Sequence, residues 1–288
     1  MERADFLEKI IARRRTRLSE EKSLRPLEVL RAEAERERES RRTHAFRAAL
    51  TDSSTVNVIA EFKRASPSKG VINGAAEPGQ VARAYETGGA AAVSVLTEQD
   101  FFGGSLADLR EVRAAARLPV LRKDFVFDEY QVYEAAAAGA DAVLLIAAAL
   151  DDATLLGLRR LAEDSLGLDA LVEVHDGEEM RRAEGAGARL VGVNNRNLRT
   201  FEVRLETSEA LAGLAPAGAV LVSESGINTR EDVSRLRACG YGAFLVGESL
   251  MRSGRPAEAL RVLRGDLRGE LPGDDAATAQ AQKREVAG

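Results

Sequence analysis

The sequence of 288 residues has no tryptophan, one cysteine and two histidines. A single cysteine, Cys239, excludes an internal disulfide framework and a cysteine-rich zinc site. The histidines, His44 and His175, are too few and too isolated for most histidine-based metal sites. No apolar run approaches the ~20 residues of a membrane span, and the N-terminus lacks the basic and then apolar layout of a signal peptide. We therefore expect a cytoplasmic protein that holds no metal.

An excess of positive charge is also missing. Lys and Arg number 41 against 46 Asp and Glu, which gives a net charge of −5. Surfaces that bind nucleic-acid backbones are generally basic, so the composition argues against a nucleic-acid partner. The apolar fraction of 45% is sufficient for a sizeable core, and this length is normal for one large α/β barrel.

Residues 1–50 have the pattern of a helical arm. One apolar side of the first helix is formed by Phe6, Leu7, Ile10 and Ile11. Pro26 can open a second helix, and we expect Phe46 and Leu50 to dock the arm onto the part of the chain that follows.

Residues 51–266 alternate between short apolar runs and Ala-rich helical stretches. The predicted strands are 56–62, 91–96, 119–123, 141–146, 169–174, 189–194, 218–223 and 242–247. The predicted helices are 78–88, 105–116, 128–139, 151–166, 177–186, 207–213, 229–239 and 256–264, with Asp128, Asp151 and Thr229 as candidate N-caps. This alternation predicts an α/β fold, the (β/α)₈ TIM barrel. A doubly wound sheet would instead show a glycine-rich turn after the first strand, where this chain has Glu-Phe-Lys-Arg-Ala-Ser-Pro-Ser.

The C-terminal tail, residues 267–288, has no aromatic residue. We expect residues 270–288 of it to be disordered or loosely helical.

The predicted strands end in residues that carry chemistry. In TIM barrels the active site lies at the C-terminal ends of the strands, and residues two apart on a strand share a face. The charged or amide residues at these ends are Glu61, Lys63, Lys123, Glu173, Asn194 and Glu224. Their convergence on one mouth predicts acid–base chemistry on an anionic substrate.

Lysine is expected to do part of this chemistry. A partly desolvated lysine beside a second cation has a lowered pKa, while an adjacent carboxylate stays ionised. A Schiff base on lysine is the alternative that the composition leaves open. We expect His175 to have the opposite strand parity to Glu173, to point into the wall and to be a core or supporting residue. Cys239 is expected to be an inert packing residue.

The turns after the last two strands suggest a phosphate site. Ser225-Gly226 and Gly247-Glu248 follow the seventh and eighth strands, where barrels commonly bind phosphate. Glycine lets backbone N–H groups approach phosphate oxygens closely, and nearby helix N-termini add a favourable dipole.

Motifs at the strand ends occur in a specific order along the chain. They occupy residues 59–68, 96–98, 101–105, 123–125, 171–175, 192–198, 223–227 and 245–248. With them the chain, up to about residue 264, resembles the indole-3-glycerol phosphate synthase family of tryptophan biosynthesis in its single-function form. The resemblance implies ring closure of 1-(2-carboxyphenylamino)-1-deoxyribulose 5-phosphate to indole-3-glycerol phosphate, with loss of carbon dioxide and water and without a metal or organic cofactor.

The resemblance also implies roles for individual residues. Lys123 is the general acid at the ketone oxygen, and Lys63 with Glu173 forms the acid–base pair when the hydroxyl leaves. Glu61 holds both lysines, while Asn194 and Glu224 bind the ribulose hydroxyls or orient those groups. Substrate-binding residues are Arg196 near the carboxylate, and Phe102, Phe125 and Leu198 around the aromatic ring. Phosphate-binding residues are Ser66, Ser225, Gly226, Gly247 and Glu248, of which Glu248 is expected to use its backbone N–H with its side chain turned away.

The implied ligand is a small anionic sugar phosphate, and the expected assembly is a monomer or a weak homodimer. The arm near Phe46 is expected to help close the pocket. One alternative is a barrel like phosphoribosylanthranilate isomerase, whose pattern has a cysteine base at the end of the first strand, where this chain has Glu61 and Lys63. Another is a non-catalytic sugar-phosphate-binding barrel, which should lack at least one proton-transfer group; none is missing here.

Overall fold

The structure, a computed structural model, describes residues 6–267. Within that range the barrel strands are β1 (Asn57–Phe62), β4 (Ala92–Leu96), β5 (Val120–Lys123), β6 (Ala142–Ile146), β7 (Asp169–Val174), β8 (Leu190–Asn194), β9 (Val220–Glu224) and β10 (Ala243–Val246). These eight parallel strands close into a barrel in the order β1-β10-β9-β8-β7-β6-β5-β4, and β4 pairs with β1. The predicted (β/α)₈ TIM barrel with an N-terminal helical extension is confirmed. The prediction for residues 270–288 lies outside the described residues.

Helices follow the barrel strands and also precede the first of them. The arm contains α1 (Phe6–Leu24), α2 (Leu27–Glu39) and α3 (Ala45–Ala49). The later helices are α4 (Pro78–Thr87), α5 (Leu106–Ala115), α6 (Glu129–Ala137), α7 (Asp152–Arg160), α8 (Gly177–Gly185), α9 (Glu206–Ala212), α10 (Arg230–Ala238), α11 (Glu248–Arg252) and α12 (Pro256–Arg264). Within residues 6–267, every helix is too short or too polar to cross a bilayer.

The predicted N-caps are confirmed. The side chain of Asp128 accepts a hydrogen bond from the N–H of Tyr130, and that of Asp151 accepts one from Thr154. Thr229 forms a capping box with Asp232. Each cap satisfies a backbone donor that a helix start leaves free.

A short hairpin, which the sequence pattern did not predict, follows the first strand. It pairs β2 (Ala65–Ser66) with β3 (Gly70–Val71). The hairpin places residues 66–69 over the C-terminal end of the barrel, where they line the cavity described below.

Alternation along the strands separates two apolar layers and sets the positions of the polar residues. The barrel interior contains Ile59, Leu121, Leu171, Leu190, Val222 and Leu245. Their neighbours one residue away, such as Val58, Val172 and Val246, pack against the outer helices. Because residues two apart share a face, the inner row continues into the candidate site residues at each strand end.

Phe46 fills the opposite, N-terminal end of the barrel. It is fully buried in the interior cluster, and its neighbour Arg47 donates its backbone N–H to Asp169 at the start of β7. Leu50, also buried, accepts a hydrogen bond through its carbonyl from Asn57 at the start of β1. Docking through these residues is confirmed, but the expectation that the arm near Phe46 closes the pocket is wrong. The pocket lies at the other barrel end, where Phe6, Leu7 and Ile10 line it.

Phe46→Ala is expected to lower the free energy of unfolding by about 3–5 kcal/mol, because it leaves a cavity in a close-packed interior. Urea unfolding followed by circular dichroism measures the change. Val29→Ala, at an exposed arm position, is the control and should alter stability by less than about 0.5 kcal/mol. Equal stability of the two variants would show that Phe46 is not a core residue.

Candidate active site

A cavity of about 790 Å³ opens at the C-terminal ends of the barrel strands. Every residue predicted for the site lines it, and their roles stay predictions. The lining includes Glu61, Lys63, Ser66, Phe102, Lys123, Phe125, Glu173, Asn194, Arg196, Leu198, Glu224, Ser225, Gly226, Gly247 and Glu248. Residues from the two ends of the sequence thus meet in one place because parallel strands all end on the same side of a barrel.

Lys123 lies between two buried carboxylates. Its Nζ is 3.2 Å from Glu173 Oε2 and 3.2 Å from Glu224 Oε2. Burial alone would lower the pKa of Lys123, but the charges of Glu224, Glu173 and Glu61 outweigh it and raise that pKa above its ordinary value. The expectation of a lowered lysine pKa is therefore wrong for Lys123, because its neighbours are anions and not a second cation.

Lys63 has a different partner. Its Nζ is 2.8 Å from Glu61 Oε1, two residues earlier on the same face of β1. Glu61 is buried and acts on Lys123 through its charge. The expected arrangement, in which Glu61 holds both lysines, thus consists of one direct ion pair and one interaction at longer range.

The two acids beside Lys123 differ in their ionisation. Burial would raise the pKa of Glu173, but the charge of Lys123 and the contacts with His175 and Asn194 hold it well below its usual range. Burial raises the pKa of Glu224 to about 8, and the nearby charge of Glu173 adds to the shift although Lys123 opposes it. At neutral pH the site therefore contains an ionised Glu173 and a mostly protonated Glu224.

His175 lies on the same face as Glu173 and contacts its carboxylate. It is two residues after Glu173, so the two share a face, and His175 Nε2 is 3.3 Å from Glu173 Oε1. The prediction of opposite strand parity is wrong: side chains on opposite faces are an odd number of residues apart, and Glu173 and His175 are two residues apart. The prediction of a supporting position agrees with this contact.

Two glycines make room for the carboxylates. A Cβ at Gly192 would lie 2.1 Å from Glu224 Oε1, and one at Gly247 would lie 2.6 Å from Glu61 Oε1. Both distances are far below van der Waals contact. Each glycine thus lets a neighbouring strand bring an acid into the barrel mouth, a pairing that sequence alone does not reveal.

Gly192→Ala is expected to displace Glu224 and with it Lys123, reducing kcat at least about tenfold. Overpacking should also lower the free energy of unfolding by about 1–3 kcal/mol. Steady-state kinetics and urea unfolding measure both. Gly185→Ala is the control, because its Cβ would meet nothing within 4 Å and alanine is favourable in a helix. Unchanged kinetics in Gly192→Ala would contradict the close packing of Glu224.

The predicted phosphate residues surround the turns after β9 and β10. Ser225 and Gly226 have left-handed backbone conformations, with φ of 66° and 81°. Asn195, which sequence reasoning missed, donates from its side-chain amide to the Ser225 carbonyl at 3.0 Å and stabilises this turn. Glu248 lies 3.6 Å from Lys69 Nζ and 3.3 Å from Arg252 Nε, so its charge is partly compensated by cations.

An aromatic surface lies on the other side of the cavity. The rings of Phe102 and Phe125 are 6.1 Å apart, and the buried Glu98 accepts the backbone N–H of Phe102 at 3.1 Å. Phe6 of α1 makes edge contacts with Phe101 and Phe201. The sequence pattern places Phe6 on an apolar side of the first helix but does not show what that side covers.

Arg196 is positioned by backbone contacts. Its N–H donates to Asn194 Oδ1 at 3.0 Å, and its guanidinium donates to the Phe201 carbonyl at 3.2 Å. The guanidinium therefore lies at the cavity wall, where it can meet an anionic group.

A buried ionic network fixes the strand that carries Lys123. The adjacent Arg122 points outward, is almost fully buried, and lies 2.9 Å from Asp124 and 2.8 Å from Glu134. Arg14 of α1 reaches the same acids at 3.6 and 3.7 Å. The arm is thus tied directly to the end of β5, which the sequence pattern did not predict.

Solved structures of low identity share the fold. A mandelate oxidase variant is 20% identical, with a TM-score of 0.57, covering 80% of this chain and 86% of that one. Thiamine phosphate pyrophosphorylase from Pyrococcus furiosus is 18% identical, with a TM-score of 0.53, covering 73% of this chain and 94% of that one. At such identity the likeness shows only a shared barrel.

Sequence relatives define the family. Indole-3-glycerol phosphate synthase from Carboxydothermus hydrogenoformans is 48% identical over 262 residues, which cover 90% of this chain and 99% of the relative. The enzyme of the same name from Micrococcus luteus is 55% identical over 220 residues, which cover 76% of this chain and 82% of the relative. The family model described as indole-3-glycerol phosphate synthase matches residues 7–263. The chain therefore belongs to the indole-3-glycerol phosphate synthase family.

Proposed function

We propose that the chain performs the reaction of its family, the closure of 1-(2-carboxyphenylamino)-1-deoxyribulose 5-phosphate to indole-3-glycerol phosphate with loss of carbon dioxide and water. The observation that carries the mechanism is the position of Lys123 between Glu173 and Glu224. A cationic donor there, with the ionised Glu173 beside it, matches the proton transfers that the reaction requires.

Substrate binding uses two sides of the cavity. The phosphate is held by the turns containing Ser225 and Gly247, with Ser66 opposite, and provides remote binding energy. The carboxyphenyl ring packs against Phe102 and Phe125, which exclude water. Arg196 neutralises the ring carboxylate until it leaves as carbon dioxide.

In the first chemical step, a bond forms between the ring carbon that carries the carboxylate and the ketone carbon. The ketone oxygen takes a proton from the Lys123 ammonium, so no free alkoxide develops. The raised pKa of Lys123 keeps it protonated for this donation and disfavours the free amine that a Schiff base would need. Loss of carbon dioxide then returns an electron pair to the ring and restores its aromaticity.

In the last step the hydroxyl leaves as water. Lys63 supplies the proton to the leaving oxygen, and Glu173 removes a proton from the neighbouring carbon that bears nitrogen, which creates the indole double bond. The proton on Glu173 can then return to Lys123, 3.2 Å away. Two protons are delivered and one is removed in each turnover, so one proton enters from solvent.

Asn194 and Glu224 support these groups. Asn194 helps to hold the pKa of Glu173 below its usual range, and a protonated Glu224 can donate to a ribulose hydroxyl. No observation favours the isomerase alternative, since Cys239 is at the C-terminal end of α10 and not among the residues that line the cavity. The non-catalytic alternative is disfavoured because both lysines and their acids are in place.

Other features stay predictions. They are the division into an arm (1–50), a barrel (51–266) and a tail (267–288), the cytoplasmic location, the monomeric or weakly dimeric state, and a reaction without metal, organic cofactor or nucleic-acid partner.

The direct test is to mix purified protein with the carboxyphenylamino-deoxyribulose phosphate and follow indole fluorescence. An increase that depends on enzyme concentration supports the proposal. A folded protein that produces no indole signal would overturn it, and consumption of phosphoribosylanthranilate instead would favour the isomerase.

A further inference from the structure

We propose that His175 is a positioning residue that holds the carboxylate of Glu173 from the side opposite Lys123 and is itself held by Glu179 of α8. This inference rests on the proposed function, in which Glu173 is the base of the dehydration step. It adds a residue that sequence reasoning had placed in the barrel wall.

Lys123, Glu173, His175 and Glu179 contact one another in that order, so that basic and acidic side chains alternate from the active site to α8. Lys123 Nζ contacts Glu173 Oε2, and His175 Nε2 is 3.3 Å from Glu173 Oε1. The other ring nitrogen, Nδ1, is 3.0 Å from Glu179 Oε2. Each ring nitrogen thus lies near a carboxylate: Nδ1 has hydrogen-bond geometry with Glu179, and Nε2 is in ion-pair range of Glu173 without the alignment of a hydrogen bond. Two negative neighbours suit an imidazolium.

The α8 helix start fixes the outer end of this series of contacts. Asp176 caps the helix and accepts the N–H of Glu179, while Glu179 accepts the backbone N–H of His175 at 2.8 Å. Glu179 therefore holds both the backbone and the ring of His175, which leaves the imidazole little rotational freedom. A side chain fixed at both ends can impose its position on Glu173.

The charges that act on the ring are both negative. Glu173 on β7 and Glu179 on α8 face it, and the cation Lys123 lies beyond Glu173 on the other carboxylate oxygen. Burial opposes a charged ring, but the two carboxylates prevail and raise the pKa of His175 to about 10. His175 is therefore an imidazolium at neutral pH.

The position of His175 has a mechanistic consequence. Before reaction two cations hold Glu173, and both keep it ionised. When Lys123 has given its proton to the ketone oxygen, it becomes a neutral amine and no longer lowers the pKa of Glu173. Glu173 thus becomes more basic when it must remove a proton, while His175 keeps the carboxylate in place.

Histidine NMR tests the pairing without reference to turnover. The protein has only two histidines, and His44 lies at the other barrel end against Asp169, so His44→Asn assigns the second signal. In the wild type we expect His175 to be still protonated at about pH 8. Glu173→Gln, which removes one of the facing charges, should lower its pKa by at least about one unit. A ring that titrates near its ordinary value in both proteins would overturn the proposal.

Kinetics test the positioning role. We expect His175→Gln and Glu179→Gln to lower kcat by about 10- to 100-fold with little change in KM, and imidazole to restore part of the activity of His175→Ala. Glu178→Gln is the matched control: its side chain is exposed in the same helical turn and forms no ion pair with any residue from 6 to 267.

Failure of the positioning role and failure of the proposed function give different results in these experiments. Wild-type kcat and pH profile in both His175→Gln and Glu179→Gln would overturn the positioning role. If His175→Ala does not fold, Glu179→Gln and the titration still decide. If the wild-type protein forms no indole-3-glycerol phosphate, the proposed function is overturned. The NMR titration of His175 tests the His175–Glu173 pairing independently of that result.

Discussion

Replacement of Lys123 by alanine is expected to reduce kcat by about 10³-fold or more, with a much smaller loss of ligand binding. The cation is needed at the ketone oxygen only as the carbon–carbon bond forms, so its removal acts on the transition state and not on the bound substrate. The phosphate turns and the aromatic surface remain to hold the ligand. Single-turnover kinetics and the dissociation constant of indole-3-glycerol phosphate measure the two effects separately.

Lys123→Met serves as a second variant because it keeps most of the side-chain volume. Removing the ammonium leaves Glu173 and Glu224 without their shared partner, and both should bind protons more readily. Lys22→Met is the control: this exposed lysine pairs with Asp128 outside the cavity and should not alter kcat. Normal turnover in Lys123→Ala would remove Lys123 from the role of general acid.

Glu173→Gln is expected to lower kcat by about 10²- to 10⁴-fold, because the dehydration step loses its base. The amide keeps the shape and can still contact Lys123, so the fold and KM should change little. Intermediates before water loss should accumulate, which rapid quench followed by mass spectrometry can detect.

The pH dependence gives a further check on Glu173. Its pKa is held below the ordinary glutamate value, so the carboxylate is ionised at neutral pH and loses its charge only as the pH falls through that lowered value. The wild-type enzyme should therefore show no loss of kcat/KM from Glu173 as the pH falls from about 7 to the ordinary glutamate value of about 4.5, where an unshifted glutamate would be half protonated. Glu184→Gln, at an exposed position of α8, is the charge-matched control. Undiminished turnover in Glu173→Gln would assign the base to another group.

The sequence predicted the barrel and the convergence of its polar residues because both follow from short-range rules. Strand alternation puts Glu61 and Lys63 on one face, and the shared direction of the strands brings Lys123 and Glu224 to the same mouth. N-caps such as Thr229 were predictable for the same reason, since the cap and its partner are three residues apart.

What sequence could not predict depends on distances between remote residues. The pKa of Lys123 rises because Glu173 and Glu224 come within ion-pair range, and no local pattern states how far each acid reaches. The space that Gly192 leaves for Glu224 links residues of neighbouring strands. The contacts of Phe6 with Phe101 and Phe201 depend on where α1 lies on the barrel, which the sequence does not state.

The position of His175 was a different kind of miss. The rule of strand alternation was available, and a separation of two residues already places it on the face of Glu173. Its contact with Glu179, by contrast, depends on how α8 begins after the strand. The parity could have been read from sequence, while the pairing required the structure.

The barrel fold of this protein does not by itself identify its reaction. The mandelate oxidase and thiamine phosphate pyrophosphorylase structures share its barrel at about one-fifth identity, and a barrel hosts many reactions. Assignment of the reaction rests on family membership, and its mechanism rests on the side chains at the strand ends.

A crystal structure with indole-3-glycerol phosphate bound tests the central claim most directly. We predict that the phosphate lies in the turns of Ser225 and Gly247, that the indole ring contacts Phe102 and Phe125, and that Lys123, Lys63 and Glu173 all point at the glycerol-bearing edge of the ring within about 4 Å. A product bound with its ring away from both lysines, or a phosphate bound elsewhere, would contradict this account.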